Sequence, residues 1–171
     1  SIKSLYVREK LAKHQHFLKW WLMFLLLCIF SGFCIYNDIF VSIWNSDVTK
    51  LSFFIIFLFS IQTVICGANT FRAGSGTVKK MRDKVESGWF MSDLFLSIGM
   101  AGTVIGFISM LAGFSTLNIE DATTVQGLIK DLGLGMSTAL YTTLVGLICS
   151  VFLKIQYFNL EQCVGRDEEI I

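Results

Sequence analysis

The 171-residue sequence contains no proline, although average usage near 5% would supply about eight. Nothing in it forces a helix to break, so long uninterrupted helices are expected. Acidic residues are missing from four long stretches, 10–37, 48–82, 94–119 and 132–160. Carboxylates at membrane depth mark the proton relays of many pumps. If this chain handles protons or Na⁺, another chain must supply the acid. Cysteine pairs at CxxC spacing are missing too: Cys28, Cys34, Cys66, Cys149 and Cys163 stand apart, four of them in apolar runs. They read as small hydrophobic side chains rather than a disulfide or metal set. The net charge is only +1, too little for an electrostatic nucleic-acid binder. No combination of nucleophile, base and metal ligands is present to carry catalysis. The expectation is therefore no enzyme, no cofactor, no metal and no nucleic-acid partner.

What the chain has is apolar length. It is 54% hydrophobic with a mean hydropathy of +0.65, too apolar for an ordinary soluble domain. Four runs approach or exceed the roughly 18–20 apolar residues that cross a bilayer. They cover 17–36, 51–68, 89–114 and 132–153, and the last can continue as a helix through "KIQYFNLEQ". The second is the shortest and holds Gln62. The reading is an all-α membrane protein, 1–171 forming one integral membrane domain with four transmembrane helices. The first run is too long for a cleaved signal peptide and has no small-residue cleavage site.

Lysine and arginine set the direction. Residues 1–19 carry five, 69–88 five more, and the tail from 154 another two, so twelve of fourteen fall on one side. Both termini and the 69–88 linker are therefore expected in the cytoplasm, with 37–50 and 115–131 outside. The second outer segment is acidic, with Glu120, Asp121 and Asp131. Trp20, Trp21 and Trp89 fall near cytoplasmic boundaries and Trp44 in the first outer loop, where indoles anchor at the interface. In the linker, "GSGTVKK" lacks the spacing of a phosphate loop. "HQH" at 14–16 has no suitably spaced companion ligand and reads as a wet interfacial pair. The basic N-terminal stretch with Ile2, Leu5, Tyr6 and Leu11 has the makings of a surface-lying helix.

The third run contains "GMAGTVIGF" at 99–107. On a helix at about 100° per residue, Gly99, Gly102, Gly106 and Gly113 fall within roughly 60° of arc. Lipid gives little hydrophobic drive between helices, so small residues that let backbones meet mark a packing seam. In the fourth run Gly135, Thr138, Thr142, Gly146 and Cys149 cluster within roughly 80°. Thr103 flanks the first seam and Thr143 the second. An isolated threonine in such a helix bonds its own i−4 carbonyl. Two seams, each with a flanking threonine, suit a tight helix pair that also presents hydroxyls to a second surface.

"GMAGTVIGFISML" followed by "GLGMSTALYTTLVGLICSVFLKIQYFN" resembles the paired channel helices of the MotA/TolQ/ExbB family, over roughly residues 94–160. The pattern is G-x-x-G-T-x-x-G in the third span and A-L-x-x-T-x-x-G-L in the fourth. Four spans with both termini inside resemble the flagellar stator layout. The resemblance implies an ion-motor subunit of the bacterial inner membrane, carrying H⁺ or Na⁺ and assembled as a pentameric ring. The ring would surround a dimer of single-span MotB/TolR/ExbD-like partners that supply a membrane aspartate. By the same resemblance Thr103 and Thr143 face the partner and the ion path, with Gly102, Gly106 and Gly146 as small positions around them. The sequence departs from the family where Leu96 and Phe152 replace frequent prolines, and its cytoplasmic part is far smaller than that of flagellar stators. The alternative is a non-conducting helical scaffold that binds a membrane partner through the same seams. A small-molecule transporter would be expected to show inverted repeats or broken helices, which the sequence lacks.

Overall fold

The computed structural model describes residues 2–73, 78–115 and 122–168. All secondary structure among them is helical: α1 (Ile2–Tyr36), α2 (Ile39–Ser46), α3 (Leu51–Arg72), α4 (Val78–Phe114) and α5 (Ala122–Glu168). Four are long and apolar enough to cross a membrane, over His14–Tyr36, Leu51–Arg72, Lys80–Gly113 and Val125–Gly165. The absence of proline shows in their length: α4 has 37 residues and passes Leu96 unbroken, and α5 has 47 and passes Phe152. The basic 69–88 stretch is mostly helical, its ends belonging to α3 and α4. Residues 74–77 and the acidic Glu120 and Asp121 lie outside the described residues. The N-terminal stretch corrects one expectation. It is not a separate surface element but the first turns of α1, continuous into the first span.

The chain divides into two compact units. The first comprises Ser1–Phe33, Phe59–Ser92 and Val151–Ile171. It is packed with large and polar side chains. The Trp20 indole lies flat against the Gly67 backbone, and the Tyr157 ring against Gly88; a side chain at either glycine would overlap the ring. Trp20 is thus buried rather than interfacial, whereas Trp21 is 45% exposed. His16 is also buried. Its Nδ1 pairs with Asn159 Oδ1 at 3.0 Å, and Asn159 Nδ2 donates to the His16 carbonyl at 3.0 Å. The two histidines are not a wet pair: only His14 is exposed. No group of three metal-ligating side chains occurs among the described residues. Gln156 donates to the Thr63 hydroxyl at 3.4 Å, and the Tyr157 hydroxyl to Gln62 at 3.1 Å. Trp89 Nε1 donates to Glu161 at 3.2 Å.

The second unit comprises Cys34–Leu58 and Asp93–Ser150. Here the 37–50 loop contains α2, followed by a turn built on fully buried Asp47. Asp47 Oδ1 accepts from the Thr49 N–H at 3.0 Å and its hydroxyl at 2.8 Å, and Oδ2 from the Ser52 N–H at 2.9 Å. The carboxylate thereby satisfies donors at the start of α3, as a capping residue does. Burial alone would raise its pKa, but the donors from Ser52 and Thr49 outweigh that and hold it below the ordinary 3.8. Lys50 takes a left-handed conformation (φ 55°), and its ammonium lies 4.3 Å from the centre of the Trp44 ring. All five cysteines are free thiols; Cys28 is exposed and the other four are buried.

A threonine pair on the closest helix seam as the candidate functional site

The site is built from the α4–α5 seam of the second unit. A methyl group at Gly106 would sit 2.6 Å from the Gly135 carbonyl oxygen and 2.8 Å from the Ala139 nitrogen. At Gly146 it would sit 2.7 Å from the Phe95 carbonyl oxygen and 3.0 Å from the Gly99 α-carbon. Atoms this close leave no room for a Cβ, so the two backbones are in direct contact. Gly99 and Gly135 lie in the same seam, and Gly102 is covered by the Thr142 side chain. Gly113 is less crowded, with Leu128 at 3.4 Å.

The threonines of α5 divide by face. Thr142 is buried, and its hydroxyl donates to the Thr138 carbonyl at 2.7 Å. Thr138 turns to the 37–50 loop, donating to Ser46 O at 3.0 Å and accepting from the Val48 N–H at 3.1 Å. It thus ties α5 to that loop. Its neighbour Tyr141 places its hydroxyl 3.5 Å from that of Ser42.

Thr103 and Thr143 are half-buried. Their hydroxyls hydrogen-bond each other. Thr103 Oγ1 is also 3.3 Å from Gly99 O and 3.4 Å from Ala139 O. Thr143 Oγ1 is 2.9 Å from Ala139 O and 3.3 Å from Gly99 O. The i−4 back-bonding expected of isolated threonines therefore occurs in both, and a cross-helix pair is added to it. The glycine seam makes this possible by bringing the carbonyl of one helix within reach of the hydroxyl of the other.

Four oxygens converge: two hydroxyls and two carbonyls. Each hydroxyl has one proton to donate and two lone pairs to accept with, so two protons serve five contacts and can be redistributed among them. Such a cluster offers lone pairs to a cation or hydronium, and by rotating its hydroxyls offers protons to a carboxylate. No Asp or Glu lies in the membrane-spanning stretch of either helix near it, from 94–113 or 132–160. The glycine and threonine positions follow from periodicity. The participation of the Gly99 and Ala139 carbonyls does not, because a backbone acceptor leaves no mark in sequence. Buried Asp47 leaves no signal either, beyond its place at the edge of the 37–50 loop.

No curated protein and no solved structure matches the chain. The MotA/TolQ/ExbB proton channel family matches residues 75–170, more than half of the length, including all of α4 from Val78, the whole seam and both threonines. With that match and a glycine-lined α4–α5 pair at its centre, the chain belongs to the MotA/TolQ/ExbB family.

Proposed function

We propose that this chain is the conducting subunit of an ion-driven membrane motor, with the Thr103–Thr143 pair on its ion path. The observation that carries the reading is the convergence of two hydroxyls and two carbonyls, half-buried, on the seam of a family member. In this reading five copies form a ring in the bacterial inner membrane, with both termini inside and α4 and α5 toward the centre. A dimer of single-span partners occupies the centre and brings an aspartate to the level of the threonine pair, where 94–119 and 132–160 hold no acid. Apolar side chains beside the pair, Val104 and Phe107 on α4 and Leu140 and Leu144 on α5, are exposed. They suit contact with a partner helix, a neighbouring subunit or lipid.

Magnitudes favour passage over capture. One charge moving through about 100 mV releases about 2.3 kcal/mol, while one interhelical hydroxyl bond in a membrane contributes about 0.6–2 kcal/mol. The hydroxyl cluster can replace part of an ion's hydration shell and still release it. It can also donate to the partner carboxylate while that group is ionised, and turn back to the Gly99 and Ala139 carbonyls once it is neutralised. Neither step selects H⁺ over Na⁺, since hydroxyl and carbonyl oxygens serve both.

The test is reconstitution in vesicles under an imposed ion gradient, with native mass spectrometry of the same preparation. A ring whose flux depends on a single-span partner supports the reading. A stable monomer or dimer that does not grow with partner, or a ring that conducts nothing under either gradient, favours the scaffold.

A further inference from the structure

Among the described residues of the first unit, three buried polar atoms stand without a hydrogen-bond partner, Trp20 Nε1, Ser92 Oγ and Gln156 Oε1, and the first and last have complementary needs. The Trp20 indole N–H and the Gln156 carbonyl oxygen Oε1 are both sequestered, and neither has a hydrogen-bond partner among the described residues. Trp20 is 8% exposed and Gln156 1%. A buried polar group left unsatisfied is costly, and native structures rarely tolerate it without ordered water.

Three helices link the surroundings of the two groups. On α3, Thr63 and Gly67 are one turn apart on the same face. Gly67 lies under the Trp20 ring at the edge next to the nitrogen, and Thr63 accepts from the other end of the Gln156 amide. Between α1 and α5, the His16–Asn159 pair fixes the register. Trp20 stands one turn beyond His16 on α1, and Gln156 one turn before Asn159 on α5. The helices run oppositely in the sense this pairing requires, so both steps lead to the same level.

We propose that one ordered water molecule is bound between Trp20 Nε1 and the Gln156 side-chain amide, within the α1–α3–α5 layer of the first unit. Water is the ligand that the donor set selects. The indole can only donate, which repels a metal cation. The facing amide is neutral, which gives an anion no counter-charge. Turning the Gln156 amide end for end replaces an orphan acceptor with an orphan donor, and water meets either because it both donates and accepts. Buried waters with two to four polar partners are an ordinary part of protein interiors. Here the molecule would complete a polar layer that already contains His16–Asn159 and Gln156–Thr63.

The direct test is cryo-electron microscopy of the intact assembly in lipid nanodiscs at a resolution that shows water. Density at about 2.7–3.2 Å from both Trp20 Nε1 and the Gln156 amide is the expected result. A direct Trp20–Gln156 hydrogen bond, or a layer with no density between them, overturns the proposal. A double-mutant cycle on melting temperature provides the second measurement. Trp20→Phe removes the donor and keeps a ring over Gly67; Gln156→Leu removes the amide. Each should lower the melting temperature, and the double variant should fall little further than the worse single one, since either change already releases the water. Additive losses would contradict a shared ligand. If a variant does not fold, the wild-type density still decides.

Discussion

The two units solve the same packing problem in opposite ways. In the second, α4 and α5 meet through residues with almost no side chain, and backbone lies on backbone from Gly99–Gly146 to Gly106–Gly135. In the first, α1, α3, α4 and α5 meet through large rings and amides: Trp20 over Gly67, Tyr157 over Gly88, and His16 hydrogen-bonded to Asn159. Where helices meet in lipid there is little hydrophobic drive between them, as for the α4–α5 seam. The second unit relies on dispersion between closely fitted backbones, the first on hydrogen bonds whose alternative is an unsatisfied polar group. The difference teaches where function can sit. Close backbones expose carbonyls to the hydroxyls of a neighbouring helix and create an adjustable oxygen cluster. A side-chain layer with fixed partners holds one register.

The largest effect should come from putting bulk into the seam. Gly106→Leu must displace the Gly135 carbonyl and Ala139, which are backbone and cannot swing aside. Core overpacking costs about 1–3 kcal/mol where side chains can adjust, and more is expected here. Native mass spectrometry should show loss of assembled ring and a steep fall in recovered protein. Normal recovery and assembly would mean that the seam is looser than the contacts describe.

A smaller effect is expected in the polar layer. Asn159→Leu removes both bonds to α1 and leaves His16 Nδ1 buried without its partner. The cost should be about 1–3 kcal/mol, read as a lowered melting temperature with the ring still recoverable. A variant as stable as wild type would show that the layer contributes specificity and not stability.

The smallest effect concerns Asp47, the one buried carboxylate among the described residues of the second unit. Its pKa is lowered on folding, so its contribution is complete above the ordinary value of 3.8 and is lost as pH falls through the lower folded-state value. Asp47→Ala should cost about 0.5–2 kcal/mol, the range for a helix cap, and should flatten the acid limb of stability below about pH 4. An unchanged acid limb in the variant would assign that limb to other groups.

How much of this was legible in sequence follows the same division. Glycine at helical spacing announces a seam because a poor helix former in a long apolar helix needs a reason. The four spans and the absence of breaks follow from apolar length and the lack of proline. The first unit was opaque. His16 pairs with a residue 143 positions away, and Gln156 with one 93 away. A lone histidine, asparagine or tryptophan near a membrane boundary reads as interfacial until its partner is known. Trp20 is such a case, since Gly67 has no periodic companions to advertise a surface waiting for a ring. Periodicity places Thr138 in the small-residue cluster, but its bonds run to Ser46 and Val48, because the 37–50 loop folds against α5 in a way no periodicity describes.

The central claim is that the Thr103 and Thr143 hydroxyls carry the ion path, and valine tests it because it keeps the shape of threonine and removes only the hydroxyl. The measurement is partner-dependent ion flux in vesicles for Thr103→Val, Thr143→Val and the double variant, each normalised to recovered ring. Flux reduced in each single variant and nearly abolished in the double, with the ring assembled close to normally, is the predicted result. Undiminished flux in the double variant would contradict the account and leave the pair as a packing contact.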